Sequence, residues 1–242
     1  MPPPVSVLGY GRFGAALARL LLDAGHPVRA WDPVVAPPDG IAAPSAAEAV
    51  RGGRFVVLAV PIEEIGPLAR QLRAGLGPEQ IVVDVASVTV RPGLALRDAL
   101  GPDLPFVVTH PLFGPASLAR GERPLRVVVC PSREHPEAEE AVRAWFVGLG
   151  CVTLTMDPHD HDRRMAETHA LSFFLAKGLL DAGATFDSPV TPPSAQGIAR
   201  TLASVRSDAG HLLGALHGEN PYAAEARGRV LRALTALDGS LA

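Results

Sequence analysis

Short apolar runs alternate with amphipathic stretches from Val5 to about Thr155, a glycine-rich turn joins the first run to the first stretch, and everything after Asp157 shows helical spacing only. These observations predict an α/β chain, an N-terminal Rossmann-type doubly wound parallel sheet followed by an all-α C-terminal domain. The domains are placed at 1–156 and 157–242. With 242 residues, 48% of them hydrophobic, the chain can bury a sizeable core.

The first run, Val5 to Leu8, feeds Gly9-Tyr10-Gly11-Arg12-Phe13-Gly14. Phe13, Leu17, Leu20, Leu21 and Ala24 then recur at helical spacing, and Gly25 ends the helix. Pro27 to Trp31 is the second strand, with Asp32 at its end. Strand, glycine turn, helix and an acidic residue about 20 positions on form the dinucleotide-binding fingerprint. Gly9 allows the tight turn, Gly11 lets a pyrophosphate approach the backbone, and Gly14 lets helix pack on strand. The phosphates would sit at the helix N-terminus, with Tyr10, Arg12 and Phe13 in the same loop. Asp32 would accept hydrogen bonds from ribose hydroxyls and repel a 2′-phosphate, so NAD is expected rather than NADP.

The alternation continues with a short helix over Pro44 to Val50, a strand over Phe55 to Val60, and a helix over Ile62 to Leu76. Ile81 to Val85 and Phe106 to Val108 are the next strands, with a helix over Pro92 to Leu100 between them. Leu125 to Cys130 and Cys151 to Thr155 are strands flanking a helix from Pro136 to Leu149. In the second domain three helices are expected. They run from His159 to Ala184 (apolar at Met165, Leu171, Phe174 and Leu175), from Pro192 to His217 (Ile198, Leu202, Val205, Ala209, Leu212 and Leu216), and from Pro221 to Leu237.

Ligands of doubly wound sheets bind beyond the carboxyl ends of the strands. Three loops should meet there: Val60-Pro61, Ala86-Ser87 and Thr109-His110. Val60, Pro61 and Ser87 are therefore assigned to the cofactor as well. Ser87 and His110 are natural hydrogen-bond partners, and a neutral imidazole beside the reacting carbon can take a hydroxyl proton while a hydride leaves. The alternative for Ser87 is a helix cap.

Taken together, these motifs resemble those of prephenate and arogenate dehydrogenases, the NAD(P)-linked enzymes of tyrosine biosynthesis. Gly9 to Gly14, Ala59-Val60-Pro61, Asp84-Val85-Ala86-Ser87-Val88 and His110-Pro111-Leu112-Phe113-Gly114-Pro115 occur in the family's order. His161-Asp162, Met165-Ala166, Thr168-His169, Ser207-Asp208 and Glu219-Asn220 are similar to pieces of its helical domain. The resemblance implies oxidative decarboxylation of a cyclohexadienyl substrate, with His110 and Ser87 catalytic and Ser87, His110, Gly114 and His169 touching substrate. It also implies that the helical domain here is shortened.

Two positions depart from the family pattern. Thr89 stands where many members carry lysine, and Ala203 stands where an arginine usually binds a substrate carboxylate. Arg200 and Arg206 flank Ala203; on a helical wheel Arg206 borders the apolar stripe while Arg200 lies nearly opposite, so Arg206 is the better substitute, although a solvated arginine is the plainer reading. Prephenate, arogenate and 4-amino-4-deoxyprephenate all remain open as substrates. Competing functions are another NAD-linked dehydrogenase of the β-hydroxyacid dehydrogenase or imine reductase type, which would enlist Lys177, and a non-catalytic NAD-binding homologue.

His159-Asp160-His161-Asp162 reads as a helix start rather than a metal site, His169 as cleft or core, and His211 and His217 as surface residues. A net charge of −3 gives no footprint for nucleic acid or an anionic membrane. The lack of a signal segment or an apolar span, with Cys130 and Cys151 as buried free thiols, suggests a cytoplasmic protein. Helices with one apolar face each need a partner, so a homodimer through the C-terminal helices is expected.

Overall fold

Runs of Val, Ile, Leu and Phe buried on both sides are what a parallel sheet covered on two faces requires. In the computed structural model these runs become β1 (Val5–Leu8), β2 (Val28–Trp31), β3 (Phe55–Leu58), β4 (Ile81–Asp84), β5 (Phe106–Pro111), β6 (Leu125–Val129) and β7 (Cys151–Thr155). The structure describes residues 1–186, 188, 190–207 and 211–241. Its contacts divide the chain into two units, Met1–Pro158 and His159–Ala242.

The strands lie in the order β2-β1-β3-β4-β5-β6-β7. All neighbours are parallel except β5 and β6. A lone parallel bridge from Ala30 to Ala42 extends the sheet beyond β2, so a further edge strand is reduced to one residue. The chain reverses its direction of winding between β1 and β3, and the crevice at such a switch point is where these sheets take ligands.

Six helices belong to this unit: α1 (Arg12–Asp23), α2 (Ala46–Ala49), α3 (Ile62–Leu72), α4 (Val90–Leu100), α5 (Pro115–Ala119) and α6 (Pro136–Gly148). Leu17, Ala18 and Leu21 of α1 share a core cluster with Val142, Trp145 and Phe146 of α6 and with Val5, Val7, Phe55, Val57, Val83 and Val107 of the strands. Alternation along the strands turns Val56, Leu58, Val82 and Val108 to the opposite face, and a methyl placed on Gly93 of α4 would lie 3.4 Å from Val108.

β5 differs from the expectation. It continues through His110 to Pro111 instead of stopping at Val108, because it changes partner along its length. Phe106 to Val108 pair with β4, and Thr109 to Pro111 pair with β6. Cys130 N–H donates to Val108 O at 3.0 Å and Leu112 N–H to Arg126 O at 2.8 Å. The even-numbered residues thus turn their backbone groups to β6, and the N–H that Pro111 lacks falls on the other edge, where β4 has ended. The remaining shifts are small: β3 ends at Leu58, and α3 passes at Leu72 into a 3₁₀ turn over Arg73–Gly75.

In the second unit α7 (Pro158–Met165), a π turn (Ala166–Ala170) and α8 (Leu171–Asp181) run without a break. A 3₁₀ turn at Pro193–Ala195 precedes α9 (Gln196–Ser207). Then α10 (His211–Gly214) leads into a second π turn (Ala215–Glu219), and α11 (Ala223–Leu241) follows. The core is Ala166, Ala170, Phe173, Ala176, Leu202, Val205, Leu216, Ala223 and Ala226. The stripe expected on the first helix is corrected: Met165, Leu171 and Phe174 are only half-buried and Leu175 is 41% exposed, while alanines occupy the buried face. On the second helix Leu202, Val205 and Leu216 are buried as expected, Ile198 is exposed, and Ala209 lies outside the described residues.

Trp145 anchors the first core, stacked on Phe55 with centroids 4.5 Å apart and tilted against Phe146 at 4.7 Å. Trp145→Ala should lower unfolding free energy by about 3–5 kcal/mol. Urea denaturation monitored by far-UV circular dichroism measures the loss.

Candidate functional site

The glycine loop is shaped by backbone contact. Gly9 sits at φ +95°, and a Cβ there would lie 2.3 Å from the Ala59 carbonyl oxygen and 3.1 Å from Val60. A Cβ on Gly14 would lie 1.9 Å from the Gly9 carbonyl oxygen. Gly11 is different: nothing lies within 4 Å of where its Cβ would stand. Gly11 caps α1 with no side-chain hydrogen bond, and the first turn of α1 carries no acidic residue. Open space over exposed helix N–H groups suits a phosphate.

Asp32 is tied to the same loop. Its Oδ2 accepts from Tyr10 N–H at 2.7 Å, and its Oδ1 accepts from Val34 and Val35 N–H, both at 2.8 Å. Burial pushes this carboxyl up, but the three N–H groups outweigh it and hold it below the ordinary aspartate value. Asp32 is therefore ionised at neutral pH. A carboxylate has about four acceptor directions, so roughly one is left for a ribose hydroxyl. Its first task is to fasten the loop to the end of β2, which the sequence pattern does not reveal. Arg12 is exposed, while the Phe13 ring packs on Phe113 at 6.2 Å, leaving only its backbone to face a ligand.

Val60 is half-buried beside Gly9, and Pro61 is exposed and precedes α3. His110 is 6% exposed on β5 opposite Val128, at the same sheet edge as Gly9, Asp32 and Val60. By alternation it shares a face with Phe106 and Val108. The preceding residue, Thr109, donates its hydroxyl to Asp84 O at 2.6 Å and so ties β5 to the end of β4. Gly114 caps the short α5, with Pro115 in its first turn.

Ser87 is half-buried just past β4, but its hydroxyl makes no hydrogen bond among the described residues. The expected Ser87–His110 bond is thus absent, and Ser87 is not a cap either, because α4 begins at Val90 with Thr89 as its N-cap. Thr89, found in place of the family's lysine, is fully buried and donates to Pro158 O at 3.0 Å, a structural use.

In the second unit His169 lies half-buried in the first π turn, edge-on to Phe173 at 5.0 Å. Arg206 is solvent-exposed on α9, and Asp208 of the Ser-Asp pair lies outside the described residues. His161 and Asp162 are fully buried and joined through Nδ1 and Oδ1 at 2.8 Å. Asn220 donates to Asp162 O at 2.8 Å, fastening the start of α7 to the turn before α11. Lys177 is exposed and paired with Asp181 along α8. His217, expected at the surface, is half-buried and hydrogen-bonded on both ring nitrogens. Its burial depends on tertiary packing that helical spacing does not carry.

Sheet order, glycine loop and acidic strand end define a nucleotide-binding unit of Rossmann type. Residues 40–153 match the family model of the prephenate dehydrogenase nucleotide-binding domain. A probable arogenate/prephenate dehydrogenase of Methanocaldococcus jannaschii is 26% identical over 72% of this chain and 38% of its own length. Arogenate dehydrogenase 1, chloroplastic, of Arabidopsis thaliana is 28% identical over 73% of this chain and 30% of its own. The chain therefore spans well under half the length of these curated relatives. A crystal structure of prephenate dehydrogenase from A. aeolicus, in complex with hydroxyphenyl propionate and NAD+, has the same fold with a TM-score of 0.78 over 99% of this chain and 90% of that one, at 19% identity.

The two glycines should separate under substitution. Gly14→Ala forces a methyl into the Gly9 carbonyl and should abolish cooperative folding in a thermal melt. Gly11→Ala should leave the melting temperature unchanged and instead weaken dinucleotide binding measured by calorimetry.

Proposed function

We propose that the chain is an NAD-dependent dehydrogenase that oxidatively decarboxylates prephenate or a close analogue, arogenate or 4-amino-4-deoxyprephenate. The observation that carries this reading is the place of His110: a buried imidazole at the carboxyl edge of the sheet, three residues before a phenylalanine that packs on the first turn of the glycine-loop helix. The first-turn backbone of α1, with Gly9, Tyr10, Gly11 and Arg12, would hold the pyrophosphate. Asp32 would hold the adenosine ribose and disfavour a 2′-phosphate, with Val60, Pro61 and Ser87 toward the nicotinamide. Bound NAD supplies the hydride acceptor for the ring carbon that bears the hydroxyl.

The protein's own share is positioning and one proton transfer. Neutral His110 accepts the proton of the ring 4-hydroxyl, or of a 4-amino group, as that carbon is oxidised. Loss of carbon dioxide then aromatises the ring, so the step needs little more than orientation and a base. The unpartnered Ser87 hydroxyl suits a contact with substrate or nicotinamide better than the orienting role first given to it. Gly114 and His169 are assigned to substrate. The pairing of exposed Lys177 with Asp181 counts against a lysine-based dehydrogenase.

His110→Asn should lower kcat by about 10²–10⁴-fold while leaving NAD affinity by calorimetry unchanged. Near-normal turnover by this variant would end the assignment. Parallel assays of prephenate, arogenate and 4-amino-4-deoxyprephenate, each with NAD and with NADP, identify the substrate.

We also propose a homodimer through the helical unit. Leu231, Leu234, Leu237 and Leu241 lie along α11 at spacings of three and four and are 51%, 47%, 55% and 79% exposed. A second copy would cover this face. Light scattering should report a dimer, and the double substitution Leu234→Glu, Leu237→Glu should yield a folded monomer.

A further inference from the structure

A cavity of about 360 Å³ lies in the first unit, inside the loop that joins the end of β5 to the start of β6. That volume falls toward the lower end of the range for small-molecule sites, about 300–1,000 Å³. Its polar wall is Ser117, Glu122, Arg123 and Arg126. Its apolar wall is Leu112, Phe113, Pro124 and Leu125, and every one of these residues belongs to the same unit.

The charges on this wall do not cancel. The Glu122 carboxylate is already engaged: Arg120 holds it through Nε and Nη2, both at 2.7 Å, and the Ser117 hydroxyl donates to it. These bonds keep the Glu122 carboxyl below the ordinary glutamate value. Arg123 donates from Nη1 to the Glu122 carbonyl oxygen at 2.8 Å, and Arg126 is fixed on β6, where its carbonyl accepts from Leu112 N–H at 2.8 Å. Burial pushes the Cys151 thiol up to about 11, and the Arg123 charge works against that rise, so this guanidinium lies near the start of β7. Neither Arg123 nor Arg126 pairs with a carboxylate among the described residues.

Two like charges lining one cavity repel each other, and an anion of matching charge relieves the repulsion. A monocarboxylate would neutralise only one of them. A phosphate monoester carries about −1.5 to −2 at neutral pH with three acceptor oxygens, and guanidinium forks fit those oxygens. The apolar wall suits a short organic part attached to the phosphate.

We propose that this cavity is an effector site that takes the phosphate group of a small phosphomonoester between Arg123 and Arg126. Leu112 and Phe113 follow directly on His110 and Pro111, and the Phe113 ring also packs on Phe13 of α1 at 6.2 Å. An occupant therefore bears on the segment that carries the proposed base. For this effect on turnover the inference rests on the function proposed above; for binding it does not.

Glycerol 2-phosphate, inorganic phosphate and acetate are titrated calorimetrically into the full chain at constant ionic strength. Saturating NAD occupies the uncapped N–H groups of α1, and a second series uses the Gly11→Ala protein without NAD. The ester should bind more tightly than inorganic phosphate, and acetate about tenfold or more weakly than either. Arg123→Gln and Arg126→Gln should each weaken the ester by about tenfold, and the double substitution should abolish its binding. Melting temperatures should not change, because both side chains are exposed. Arg133→Gln, at another exposed arginine of the same unit, should leave binding as it is. In steady state the ester should alter kcat for the active substrate in the wild type and not in the double variant. The site is overturned if the ester does not bind, if inorganic phosphate or acetate binds as tightly, or if the double variant keeps wild-type affinity. Binding through the two arginines with kcat unchanged overturns the effector role. Binding through them in a protein that turns over none of the three cyclohexadienyl substrates sustains the site and rejects the proposed function.

Discussion

The backbone of Gly14 comes so close to the Gly9 carbonyl, and Gly9 to the Ala59 carbonyl, that no side-chain atom fits at either contact. This approach presses the start of α1 onto the ends of β1 and β3 and sets the geometry of the sheet's carboxyl edge. Helix N–H groups are left uncapped at Gly11, and Tyr10 N–H is turned to Asp32. Because α1 is held this deep, Phe13 reaches Phe113, and the loop that bears on a nucleotide is packed against the segment following His110. A single added methyl would separate these parts, which is why small residues are obligatory here rather than merely permitted.

The second determinant is the exchange of partners along β5. A strand paired with β4 throughout would have to end before Pro111, whose ring removes a ladder donor. By passing from β4 to antiparallel β6 at Thr109, β5 extends three residues beyond its pairing with β4 and lets the proline face an edge without a neighbour. The hydroxyl of Thr109 compensates at the crossing by bonding the Asp84 carbonyl. His110 is thereby a strand residue with a restricted backbone, and a side chain held on a strand is placed more sharply than one on a loop.

The sheet was legible in the sequence because parallel strands buried on both faces read as unbroken apolar runs, and β1 and β4 lie within a residue of where those runs predict them. The glycine loop was legible because its spacing is a steric requirement. The extension of β5 was hidden, since a proline argues against a strand unless the missing neighbour is known. The helical unit was less legible for another reason. Its buried face is largely alanine, which barely registers in an amphipathic pattern, so the larger Met165, Phe174 and Leu175 drew the stripe to the wrong side. A π turn is one extra residue in a helix and has no compositional mark. The contacts of His217, which lies in such a turn, are equally invisible before folding.

The two units therefore obey different packing rules. In the first, branched and aromatic side chains fill both faces of a sheet, and substitutions are felt through volume. In the second, alanines let helices approach closely, but they bury little apolar area, and four leucines of α11 are left about half or more exposed. Covering such leucines is worth about 1–2 kcal/mol each, so two copies gain about 8–16 kcal/mol from this face, against an association cost of about 4–15 kcal/mol. The balance is close enough that α11 alone would give a concentration-dependent dimer. Exposed Ile198 and Leu175, elsewhere on the same unit, are the residues available to tighten it. With so small a core, the helical unit would gain rigidity from the second copy proposed above, and the side chains it holds half-buried, His169 and His217, would share in that gain.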